Sequence, residues 1–69
     1  MSLKKTTFFV VPLDRGWIVK TESVPNNLGP YSDKEHALMA AFAFAREKRP
    51  SQVKVQKRDG AWRVAQSFE

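Results

Sequence analysis

The sequence predicts an α+β domain of ββαββ order: a four-stranded antiparallel sheet made of two hairpins, with one helix packed on one of its faces. Three observations carry this reading. Residues 6–22 hold two runs of strand composition about a short Gly-containing connection, residues 33–49 read as a capped amphipathic helix, and residues 52–67 alternate about an Asp-Gly dipeptide. Covering one sheet face with the helix buries nearly every large apolar residue at once, which is the main physical argument for the architecture.

The first expected strand, residues 6–11 (TTFFVV), is β-branched and aromatic, and Pro12-Leu13-Asp14-Arg15-Gly16 supplies the turn. The second covers residues 16–22; Trp17, Val19 and Thr21 point one way and Ile18, Lys20 and Glu22 the other, so the side of Trp17 is the expected core side. In the first strand alternation does not decide. Either Phe8 and Val10 face the core or Phe9 and Val11 do, and one phenylalanine is left for the other side. Residues 23–31 (SVPNNLGPY) have the prolines, asparagines and glycine of a loop, and a lone glycine makes no phosphate-binding cradle.

The helix has a start, an interior and a stop. Ser32-x-x-Glu35 reads as a capping box, the interior is alanine-rich without β-branched residues, and Arg46, Lys48 and Arg49 lie in the last turn before Pro50. Ala37, Leu38, Ala41 and Ala45 form one stripe with Phe42 and Phe44 on its margins, a surface that lets a helix lie close on a sheet. Met39 and Ala43 fall on the opposite side, in water or under a partner.

The last two expected strands, residues 52–58 and 61–67, flank Asp59-Gly60, the dipeptide of a two-residue type I′ turn. That turn pairs Arg58 with Ala61, Val55 with Val64 and Val53 with Gln66. Val53, Val55, Trp62 and Val64 then share the core side, while Lys54, Gln56, Arg58 and Arg63 face solvent.

A chain of 69 residues buries only about 60% of the surface its unfolded form exposes, which leaves no room for a deep walled cleft. Without cysteine there is no disulfide framework and no thiolate metal site. The run FFVVP is too short for the core of a signal peptide, and no run reaches the roughly 18 apolar residues of a membrane span, so a cytoplasmic protein with no membrane partner is expected. Twelve Lys and Arg against seven Asp and Glu give a net charge of +5, which favours a polyanionic partner and equally serves solubility.

The pieces Phe8-Phe9-Val10-Val11-Pro12, Gly16-Trp17-x-Val19, the aromatic Tyr31 before the helix, Ala37 in its first turn and Asp59-Gly60 resemble the domain-of-unknown-function family numbered 2188. The resemblance covers residues 8–62 and implies a short bacterial or phage-borne protein of strand, strand, helix, strand, strand order. It departs from the family pattern in a longer segment before the helix and in His36, where glutamate is common. It implies a fold and transfers no function.

Catalysis is not expected. His36 is the one histidine and lies in the first helical turn beside Asp33 and Lys34 as an exposed polar residue; Ser32 and Glu35 cap, and Asp14 and Asp59 belong to turns. Neither metal nor cofactor is expected. The leading expectation is weak binding of RNA or DNA on the helix-free sheet face through Lys20, Lys54, Gln56, Arg58 and Arg63, beside Ile18 and a spare aromatic such as Phe9. The alternative is a protein-interaction or homodimerisation module using Met39, Ala43 and Phe9.

Overall fold

The computed structural model describes residues 5–21 and 24–69, residues 24–27 by their backbone alone. Its elements are β1 (Thr6–Leu13), β2 (Gly16–Thr21), β3 (Val24–Tyr31), α1 (Lys34–Glu47), β4 (Ser51–Gln56) and β5 (Trp62–Phe68). The strands form one five-stranded mixed sheet in the order β3-β2-β1-β4-β5, and α1 lies across one face, touching all five.

Two features of the expected four-stranded antiparallel sheet are corrected. The segment expected as a loop, residues 23–31, contains β3, which pairs antiparallel with β2 through Trp17↔Tyr31, Val19↔Leu28 and Thr21↔Val24, with a register irregularity in each interval. An edge strand needs hydrogen bonds on one side only, so it tolerates prolines and bulges that would break a central strand. The second correction is direction. Because β3 ascends, α1 descends and β4 ascends again, β4 runs parallel to β1, with Phe8↔Val53 and Val10↔Val55 in register. A helical crossover is what permits parallel neighbours.

Registers on both sides of β1 settle which phenylalanine is inside. Phe8 is 2% exposed and Val10 0%; with Val19, Val53 and Val55 they form the sheet side of the core under Ala37, Ala41 and Ala45, each 0% exposed. The predicted alanine stripe is therefore the buried one. Phe42 packs against this core and meets Phe68 edge-on at 6.2 Å, whereas Phe44 on the other margin stays exposed.

The helix begins one residue later than its capping box suggests. Asp33, not Ser32, is the N-cap: its carboxylate accepts the His36 backbone N–H at 2.9 Å, and the His36 ring Nδ1 lies 3.1 Å from its other oxygen. At the far end, the buried Ser51 hydroxyl donates to the Ala45 carbonyl at 2.5 Å, satisfying a helix-end acceptor from the first residue of β4.

The second hairpin departs from its expected register. The Gly60 N–H donates to the Lys57 carbonyl at 2.9 Å and the Lys57 N–H to the Ala61 carbonyl at 2.8 Å, so the loop is Arg58-Asp59-Gly60. Within this loop only Gly60 has positive φ, at 95°; Asp59 instead accepts the Ala61 N–H through its side chain. This is the three-residue loop with glycine in the left-handed position, not type I′. The slip gives Gln56↔Trp62, Val55↔Arg63 and Lys54↔Val64, and a bulge before Val53↔Gln66 then restores the expected pairing. Between turn and bulge every β5 side chain is on the side opposite to expectation.

Candidate nucleic-acid interface

The helix-free face is built from the alternate residues of four strands. Phe9 pairs with Lys20 on β2 and with Lys54 on β4, and Lys54 pairs with Val64 on β5. One row across the sheet therefore reads Lys20, Phe9, Lys54, Val64. The next contains Ile18 and Val11 as partners and, on the far side, Gln56 and Trp62. Trp62 is 47% exposed, and its ring meets that of Phe9 at 5.4 Å with an interplanar angle of 74°. This edge-on contact holds the indole with much of its surface in water.

Charge on this face comes from lysine. Lys20 is exposed and Lys54 half-buried, and among the described residues neither has a carboxylate partner; Lys5 does, donating to Glu69 at 2.9 Å. Gln56 is engaged locally, its side-chain amide reaching the Gly60 carbonyl at 3.4 Å, and Gln52 donates to the Thr7 hydroxyl at 3.1 Å.

The expected binding set is thus divided. Lys20, Lys54, Gln56 and Phe9 share the helix-free face, but Arg63, opposite Val55, belongs to the helix side, and Arg58 in the turn lies over the Trp17 ring. The physical reason is the one-residue longer loop. The same slip brings Trp62 and Val64, expected in the core, onto the open face. The expected partner-binding set is divided as well: Met39, 67% exposed, and Ala43 lie on the outer side of α1, with the whole sheet between them and Phe9. Among the described residues no three His, Cys, Asp or Glu side chains gather as a metal site, and no helix is long and apolar enough to cross a membrane.

The family model described as "Uncharacterized protein conserved in bacteria (DUF2188)" matches residues 8–68. The chain belongs to this family. No curated protein and no solved structure matches it. The DUF2188 match takes in almost all of β1 and every later element. The residues that carried the resemblance have structural tasks. Gly16, at φ 148°, is where a Cβ would run into the Tyr31 carbonyl; Trp17 pairs with Tyr31; Gly60 makes the turn. DUF2188 membership assigns no activity, so the chemistry rests on the surfaces above.

Proposed function

We propose that this domain is a small non-catalytic module that binds single-stranded nucleic acid, weakly and without strong sequence preference, on the helix-free face of its sheet. The observation that carries the reading is the row Lys20, Phe9, Lys54 with the half-exposed Trp62 beside it. Lysines flanking an aromatic surface suit a strand whose phosphates meet cations while a base stacks on the indole. A broad sheet of five strands does not fit the major groove of duplex DNA, about 12 Å wide, as a two-stranded ribbon does. Single strands are therefore favoured over duplex.

The same face supports a second reading. Leu13, Trp62 and Val64 are all more than 40% exposed and the half-buried Val11 extends the apolar surface, so a second copy of the chain could meet it face to face. Salt separates the two: cation-driven binding of a strand weakens steeply as salt rises, and an apolar interface does not. The test is fluorescence anisotropy of a labelled mixed-sequence oligonucleotide. Replacing Lys20 and Lys54 together with alanine should weaken binding about tenfold at low salt and flatten the salt dependence by roughly two phosphate contacts. Equal affinity in the double variant would sink the reading, and a concentration-dependent dimer insensitive to salt would favour the second.

A further inference from the structure

The slip that carries Trp62 to one face carries Arg63 to the other, and there it joins a separate constellation. At the end of the sheet where α1 begins, Trp17, Val55 and Arg63 come from three strands, Lys34 from the first turn of α1, and Lys57 and Arg58 from the β4–β5 turn. Together they line an open cleft of about 510 Å³. That lies within the range of roughly 300–1,000 Å³ of small-molecule sites. Four of these side chains are cationic, and among the described residues no carboxylate lines the space. Asp14 and Arg58 both line a second, smaller depression without forming an ion pair, and none of the four cations has a carboxylate partner among the described residues.

Arg58 is held in a way that suits an anion. Its Cζ lies 5.5 Å from the centroid of the Trp17 ring, a cation–π contact that restrains the guanidinium and leaves its N–H donors for a planar acceptor. The half-buried Trp17 and the buried Val55 supply an apolar wall beside the charges. Four like charges around one concave space repel one another, and a phosphate monoester, carrying about −1.5 to −2 at neutral pH, relieves that repulsion. A bare phosphate would leave the indole wall unused. We propose that this cleft binds a phosphorylated nucleoside, free or at the phosphorylated end of a strand, with Arg58 and Arg63 on the phosphate and the base against the Trp17–Arg58 stack. The proposal does not depend on the open-face reading, since its cations, Lys34, Lys57, Arg58 and Arg63, are not those of the Lys20–Lys54 row, and Gln56 alone borders both surfaces.

The experiment is an amide and indole NMR titration of the full chain with adenosine monophosphate, adenosine, inorganic phosphate, and a short strand with and without a terminal phosphate. Adenosine monophosphate should shift the Trp17 indole N–H and the amides of Lys57, Arg58 and Arg63 saturably, about tenfold more tightly than adenosine or phosphate alone. Arg58→Ala and Arg63→Ala should each weaken it about tenfold. Arg58→Lys, which keeps the charge without the planar fork, should weaken it in the same direction in a domain that still folds. Trp62→Phe should leave it unchanged, which keeps this site distinguishable from the open face. Cleft shifts that require the strand's terminal phosphate identify a strand end as the source; cleft shifts with the free nucleotide alone identify that instead. Inorganic phosphate binding as tightly as the nucleotide, or no saturable shift at Trp17, would overturn the proposal.

Discussion

The two faces of the sheet are cut from the same strands and have opposite chemistry. Under α1 the strands present Phe8, Val10, Val19, Val53 and Val55, none more than 3% exposed, against three alanines with no accessible surface. On the other face the neighbours of those residues are Phe9, Val11, Lys20, Lys54, Trp62 and Val64, exposed to very different degrees. The covered face fits small parts closely, so its residues act on stability. The open face holds more apolar surface than solubility requires, interleaved with lysines that have no carboxylate partner among the described residues, so its residues are free to act on binding.

Phe8 and Phe9 give the largest contrast. Phe8→Ala removes a buried ring from a small core and should cost about 3–5 kcal/mol, a large share of the stability of a domain this size. Phe9→Ala, half-exposed, should cost about 1 kcal/mol or less in urea denaturation while weakening oligonucleotide binding. Equal losses of stability from both would break the comparison. Trp62→Ala comes next: loss of the stacking surface should weaken strand binding by about 1–3 kcal/mol, read by anisotropy, with the denaturation midpoint little changed.

Ser51 tests the covered side without touching an apolar residue. Its fully buried hydroxyl donates to the Ala45 carbonyl, which also accepts the Lys48 N–H, so Ser51→Ala removes one of two bonds to that acceptor and should cost about 1 kcal/mol. Strand binding should be unaffected. The smallest effect is expected on the outer side of α1, where Met39→Lys should stay within about 0.5 kcal/mol of the parent and leave both binding and oligomeric state unchanged. A dimer lost in that variant would restore a role for Met39.

What could be read in the sequence follows from how local each signal is. The helix announces itself through its alanine stripe, basic last turn and Pro50, and all three signals lie within one segment. The edge strand β3 does not, because prolines, asparagines and a glycine spell a loop and a bulged edge strand alike. The direction of β4 depends on that unseen strand. Phe8 and Phe9 could not be told apart because TTFFVV is apolar on both faces, and the choice is made by pairing with Val53 and Thr21 far along the chain. The site was half legible for a sharper reason. Asp59-Gly60 serves two turns that differ by one residue, and that residue decides whether Trp62 or Arg63 accompanies Lys54.

The measurement that tests the account most directly is an NMR titration of the labelled full chain with a short mixed-sequence single strand, at low and at physiological salt. Saturable shifts at Phe9, Lys20, Lys54, Trp62 and Val64 that fade as salt rises are the predicted result. Shifts confined to the outer side of α1, or none on the open face even at low salt, would contradict it.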